Sequence, residues 1–240
     1  MAKLQPREQS ANDSGAIGPD LSKTLHNGLQ ILELLARRPQ GLSVTEIADQ
    51  VGVHRTVAHR LIRTLESHRL CRRDDFKRVL PGFGLVRLAE PVEQDLRTLA
   101  RPVLEELADG TQATAHLVVR ESAAEVRSLM VVEPRRAPMH IGFQVGRVDP
   151  IDRGSAGLAI LAALPQQPGE RAEIAAARRR GYAVSHGELV PPVVGISAAV
   201  AGRHGDVLAA LGVSVFDGGR EAELGVAVQD AARRLATLLR

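Results

Sequence analysis

The sequence predicts an α+β chain built from two folded domains, and three observations lead there. Its 240 residues exceed the roughly 150 of a typical single domain. Apolar residues recur at helical spacing up to about residue 108, and strand-like runs take over after it. The charge is also uneven. The formal net charge is only +3, yet residues 54–78 hold eight Lys and Arg against three acids, leaving the other 215 residues at −2.

Composition narrows the classes further. At 44% hydrophobic and 25% charged the chain is of ordinary globular type. Its longest apolar runs, such as 156–164, fall well short of the roughly 18 residues of a membrane span. A single cysteine, Cys71, excludes an internal disulfide or a Cys-rich metal site, and the opening MAKLQPREQS lacks the apolar stretch of a signal peptide. A cytoplasmic chain with no membrane partner is expected. The five aromatics and absent Trp leave too few stacking platforms for single-stranded nucleic acid, so a nucleic-acid partner would be a duplex.

Taken in order, residues 1–20 are polar and without apolar period, a disordered leader. Leu25, Leu29, Ile31, Leu32, Leu34 and Leu35 mark a first helix that stops at Arg38-Pro39. Ser43-Val44-Thr45-Glu46 has capping-box spacing and opens a second helix with Val44, Ile47, Ala48 and Val51 inward. Gly52 breaks it. A third helix follows to about Ser67, with Val57, Ala58, Leu61, Ile62 and Leu65 inward, and 100° per residue then places Arg55, Thr56, His59, Arg60 and Arg63 outside.

Two short helices about a glycine turn form a helix-turn-helix, whose second helix fits a major groove and offers Arg to guanine edges. Residues 70–80 read as strand, Asp-Asp turn and strand, a wing carrying Lys77 and Arg78 toward phosphates. Thr56 either meets DNA or caps the third helix, and Ser43 caps the second and also meets a phosphate. The competing reading of the basic segment is a solvated charged face.

A helical stretch at 85–108, punctuated by Pro91 and Pro102, reads as a linker in which either proline can open a helix. Beyond Gly110 the runs 113–120, 126–132 and 138–144 read as strands and 155–164 as a helix. A helix at 170–180, strands at 193–201 and 207–215 joined across 202–206, and a last helix at 220–239 complete the chain. The expected domains are therefore a winged helix-turn-helix at 21–84, a linker helix at 85–110 and an α/β domain at 111–240. Gly154-Ser155-Ala156-Gly157 opens a helix with small residues, which either leaves amides free for a carboxylate or permits close packing. Arg153 either balances an acidic ligand or pairs with Asp149 or Asp152.

The stretch LSVTEIADQVGVHRTVAHRLIRTLESHRLCRR (42–73), the wing exit GFGLVRLA (82–89), RPVLEELADGTQATAHLVV (101–119), VGRVDPIDRGSAGLAILAALP (145–165) and RRGYAVSHGEL (179–189) occur in one order. In that order the chain resembles the IclR family of bacterial transcriptional regulators over nearly all of 22–238. The resemblance implies a C-terminal α/β domain of GAF-like type that binds an effector. It also implies action as a homodimer or dimer of dimers on palindromic double-stranded DNA. Carried over by position, groove contacts fall on Arg55, Thr56, His59 and Arg60. The effector cavity falls on Arg153, Gly154, Ser155, Ala156, Ser185, Gly195, Gly212 and Ser214. The chain departs from the family pattern at Val79, at Gln112-Ala113-Thr114, at Asp152 and Leu158, and at Ala198-Ala199-Val200.

No nucleophile elbow, zinc-protease, Walker or dinucleotide motif occurs, and His116, His140, His186 and His204 lack metal-ligand spacing. The chain is expected to be no enzyme and to need no cofactor. With glycines at 195 and 212, the cavity is expected to be short of polar side chains and walled by Met139, Ile141, Ile151, Val193, Ile196 and Val213. A mostly apolar organic acid is the expected effector, its carboxylate at the Ser155 helix start. The alternative is a regulator whose second domain only oligomerises or binds a protein partner.

Overall fold

The structure, a computed structural model, describes residues 20–136, 143–202, 206–216 and 218–239. The leader at 1–19, most of the strand expected at 138–144, and Met139, His140, Ile141 and His204 lie outside the described residues. The chain divides between Val92 and Glu93 into two compact units.

The first unit contains helices α1 (Lys23–Ala36), α2 (Val44–Val51) and α3 (Arg55–Ser67), strands β1 (Cys71–Arg73) and β2 (Val79–Pro81), and helix α4 (Gly84–Ala89). The Ser22 hydroxyl accepts from the Leu25 amide to start α1. One small core joins Ile31, Leu35, Leu42, Ile47, Leu61, Ile62, Cys71 and Val79. One reading of the apolar pattern is corrected. Leu25 and Leu29 stay exposed on α1, and Val57, expected inward, is 41% exposed. The buried stripe of α3 runs through Ala58, Leu61 and Ile62, which leaves Val57 one step, about 100°, to its side. Strands β1 and β2 pair antiparallel from Cys71↔Pro81 to Arg73↔Val79. Their turn is organised by Asp74, whose Oδ1 accepts from the Phe76 and Arg78 amides. Burial pushes the Cys71 thiol up to about 11, so it stays protonated and packs as an apolar group.

The second unit begins with α5 (Gln94–Thr111), so the 85–110 stretch is shared between a short α4 and a helix of the second core. Pro102, one of the two prolines able to open a helix here, instead lies inside α5. Ala100, Val103, Leu104 and Leu107 are buried around it, and that apolar face holds the helix together where the proline removes one hydrogen bond. Strands β3 (Thr114–Arg120), β4 (Glu125–Val132) and β5 (Val148–Pro150) precede helices α6 (Gly154–Ala163) and α7 (Ala172–Arg180). Then come β6 (Ala183–His186), β7 (Val194–Ala201), β8 (Val207–Val215), a 3-10 turn at Gly218–Arg220 and α8 (Glu221–Leu238). The sheet order is β5-β4-β3-β8-β7-β6, with every neighbouring pair antiparallel. Strands β5 and β6 were not expected, because three or four residues are too few to show alternation.

Side chains alternate across this sheet. Ala115, Leu117, Ile196, Ala198, Leu211 and Val213 join Leu104, Leu224, Val228 and Leu235 of α5 and α8 in one core. Val118, Val126 and Ala210 join Leu158, Ile160, Ile174 and Ala177 of α6 and α7 in the other. On this second face, toward the start of α6, the apolar residues give way to His116, Ser197, Gly195, Gly212 and Ser214. No helix among the described residues is long and apolar enough to cross a membrane.

Candidate functional site

In the first unit α2 ends on Gly52 in the left-handed conformation, φ +73°, the turn a glycine takes without strain. The capping box is formed in full: the Glu46 amide donates to Ser43 Oγ at 3.2 Å and the Ser43 amide donates to Glu46 Oε2 at 2.7 Å. These bonds to Ser43 hold the Glu46 carboxyl below the usual carboxylate range. Helix α3 is capped by His54, whose Nδ1 accepts from the Thr56 amide at 3.3 Å. Thr56 is therefore not the cap, and it lies exposed in the first turn beside Arg55. Arg55, Thr56, His59, Arg60 and Arg63 are all exposed, and none of the three arginines forms an ion pair among the described residues. Val57 is exposed on the same helix and suits a thymine methyl.

Of the two wing cations, Lys77 is exposed and Arg78 is bonded within the fold. Arg78 Nη2 and Nε donate to the Gly41 carbonyl at 2.8 and 3.2 Å, and Glu46 lies 3.8 Å away. Arg73 is bonded to Glu66 at 2.8 Å, and Arg72 lies over the Phe83 ring. Arg78 is thus a strut between the wing and the loop before α2. Lys77 and Phe76 stand exposed at the wing tip. Substituting Arg78 with alanine is expected to lower the melting temperature of the chain. Lys77→Ala should leave melting unchanged while weakening binding to every duplex and flattening its salt dependence by about one counterion. Thermal melts and a salt titration of DNA affinity separate the two; equal melting of both variants would remove the strut.

In the second unit a cavity lies between the sheet and the start of α6. About 60 Å³ of it is open to the centre of a water molecule, several times the roughly 10–15 Å³ that one water needs. Arg153, Ser155, Ala156, Ser185, Gly195 and Ser214 line it, with Val118, Val126, Phe143, Leu189, Val190 and Val193 as apolar walls. Gly154 and Gly212 do not line it. Ile196 and Val213 face the opposite core because each is one residue out of phase with the cavity face, and Ile151 is buried in the core under α6.

The glycines have a different role from the one expected. Gly212 is paired with His116 on one side and Ser197 on the other. Over its bare backbone His116 Nε2 and Ser197 Oγ meet at 3.1 Å, and Ser197 Oγ is 2.7 Å from Ser155 Oγ. A side chain at Gly195 would sit 2.6 Å from Ser155 Oγ and 3.2 Å from Ser185 Oγ. The space above the two glycines is therefore filled by polar groups, and the cavity base is polar rather than apolar. Gly157 lies against the Ile151 carbonyl, so close packing also accounts for part of the small-residue run. Sequence reasoning missed His116 and Ser197. Their signal was parity, since both alternate in phase with Gly212 and its register partners.

The α6 N-terminus is not wholly free either. The Gly154 amide donates to Glu188 Oε2 at 2.7 Å, and Arg171 Nη2 donates to Glu188 Oε1 at 2.6 Å, which holds the Glu188 carboxyl below its usual range. Asp149 pairs with Arg147 at 2.7 Å. Arg153 pairs with neither Asp149 nor Asp152. Its Nη2 donates to the Glu188 main-chain carbonyl at 2.8 Å, and its charge helps hold the Glu188 carboxyl below its usual range, although the two form no close ion pair among the described residues. His186 bonds Glu221, and among the described residues no cluster of His, Cys, Asp and Glu is placed to hold a metal.

A winged helix-turn-helix with a basic outer face, followed by an α/β unit with a polar-floored cavity, defines a DNA-binding transcriptional regulator. The model of the IclR helix-turn-helix domain matches residues 24–75, and that of the bacterial transcriptional regulator IclR C-terminal domain matches 168–237. The chain belongs to the IclR family. It is 23% identical over 220 residues to the regulator KipR of Bacillus subtilis, covering 82% of this chain and 87% of KipR. It is 28% identical over 166 residues to the regulator Rv1719 of Mycobacterium tuberculosis, covering 69% of this chain and 61% of that protein. The fold is shared with an IclR regulator of Alicyclobacillus acidocaldarius (24% identity, TM-score 0.76, 92% of this chain and all of that one). An IclR homologue of Microbacterium hydrocarbonoxydans, solved with 4-hydroxybenzoate, also shares it (22% identity, TM-score 0.77, 90% and 99%).

Proposed function

We propose that this regulator binds a small monocyclic organic acid in the cavity under α6 and that the bound acid alters its grip on a palindromic operator. The observation that carries the reading is Arg153, a cation lining the cavity that donates to the Glu188 main-chain carbonyl and forms no close ion pair among the described residues. Apolar walls from Val118, Val126, Phe143 and Leu189 suit a ring, and Ser155 and Ser214 offer hydroxyls to a carboxylate. The 4-hydroxybenzoate complex of a structural neighbour lends support to the ligand class. Arg55, Thr56, His59, Arg60 and Arg63, with Ser43 and Lys77 on phosphates, read the DNA. The working form is a homodimer or dimer of dimers in the cytoplasm.

One observation favours a second reading. Glu188 already supplies a carboxylate to the first amide of α6, as a purely structural cap would. The test is to titrate the operator-bound full chain with benzoate and its hydroxylated forms. Coupling between two sites is typically about 1–3 kcal/mol, so operator affinity should change about 5- to 150-fold. No change with any of these acids, and no heat of binding without DNA, would transfer the second unit to oligomerisation alone.

A further inference from the structure

We propose that His116, Ser197 and Ser155 form a hydrogen-bond relay that makes the cavity select acids carrying a hydroxyl donor at the His116 end. The inference rests on the cavity being the effector site and adds the chemistry of that effector's far end.

The three groups are continuous: His116 Nε2 to Ser197 Oγ is 3.1 Å, and Ser197 Oγ to Ser155 Oγ is 2.7 Å. All three residues are buried, Ser197 completely. His116 and Ser155 line the cavity, and His116 stands edge-on to Phe143, another lining ring. Its Nδ1 is buried and has no hydrogen-bond partner. Burial keeps the ring neutral, its pKa lowered to about 4, so one nitrogen carries the proton and the other a lone pair.

Each serine has one proton to donate, so the relay has a direction. An acid whose carboxylate accepts from Ser155 commits the Ser155 proton outward. Ser155 Oγ must then accept from Ser197, and Ser197 Oγ from His116 Nε2–H. That leaves Nδ1 as the lone pair, able only to accept. A carboxylate at the α6 end therefore requires a donor at the His116 end, although no atom of the ligand spans the relay itself. An unsubstituted acid leaves Nδ1 unsatisfied, and an acid bearing only an acceptor there forces a proton mismatch, the kind of loss by which polar sites reject analogues.

The test is calorimetry on the full chain with benzoate, the three monohydroxybenzoates and the three formylbenzoates, whose added group can only accept. In the native chain one hydroxy isomer should bind at least about tenfold tighter than benzoate and than the formyl acid of the same position. In Ser197→Ala the link is cut, Nδ1 can carry the proton, and the formyl acid should come within about threefold of the hydroxy acid. In His116→Phe the hydroxy acid should fall to the level of benzoate. Equal binding of benzoate and all hydroxy isomers by the native chain overturns the relay while leaving the effector site standing, as does a hydroxy-over-formyl gap undiminished in Ser197→Ala. Failure of every acid to bind removes the effector reading and the relay with it.

Discussion

Replacing Arg55 and Arg60 together with alanine is expected to abolish sequence-specific operator binding while the melting curve stays where it was. Both guanidinium groups are exposed and neither is held by a carboxylate among the described residues, so their removal opens no cavity and strands no buried charge. Alanine is also the best helix former, so α3 loses nothing locally. At the DNA, a lost bidentate contact to a base costs about 1–3 kcal/mol. Two lost together lower affinity between about thirtyfold and twenty-thousandfold. Binding to a scrambled duplex should fall much less, since each arginine contributes there only its share of phosphate attraction. Fluorescence anisotropy with a selected operator and a scrambled one measures both. If the double variant holds the selected operator as tightly as the native chain, the outer face of α3 is not the reading surface.

That face was legible because it rests on local rules. The Ser43–Glu46 capping box, the left-handed Gly52 and the buried stripe of Ala58, Leu61 and Ile62 are set by neighbours within a few residues in sequence. The bond that Arg78 makes was not legible, for the opposite reason. Its partner is the carbonyl of Gly41, 37 residues away, and only the folded wing brings the two together. In the second unit the strands of seven to nine residues could be seen, while β5 and β6 could not. The cavity shows the sharper limit. Its helix start at Ser155 could be placed, yet Ile196 and Val213 were assigned to a face one residue out of phase, and a strand turned by one residue exchanges wall for core. Which parity faces the cavity is decided by α6 lying over that side, information no single strand carries.

The glycine at the centre of that row supplies the second large effect. Gly212→Ala is expected to destabilise the chain by about 1–3 kcal/mol, the usual cost of overpacking, and to remove any preference for hydroxylated acids. Gly212 does not occupy the left-handed region, so its requirement is space and not backbone freedom. An added methyl carbon would fall on Ser197 Oγ and on the Ile196 carbonyl, and within 2.8 Å of His116 Nε2. Hydrogen-bonded strands flank it on both sides, so β8 cannot retreat without moving β3 or β7. The methyl therefore parts His116 from Ser197 where the relay crosses the sheet. Gly110→Ala is the matched control: it sits in α5, exposed, with nothing within 4 Å of the added carbon. There alanine should stabilise by about 0.5–1 kcal/mol, because a helical glycine carries extra unfolded-state freedom. At about 2–4 °C per kcal/mol for a domain near 150 residues, the two variants should melt on opposite sides of the native chain. If Gly212→Ala instead melts with Gly110→Ala and keeps its preference for the hydroxy acid, the space over residue 212 is not what brings His116 and Ser197 together.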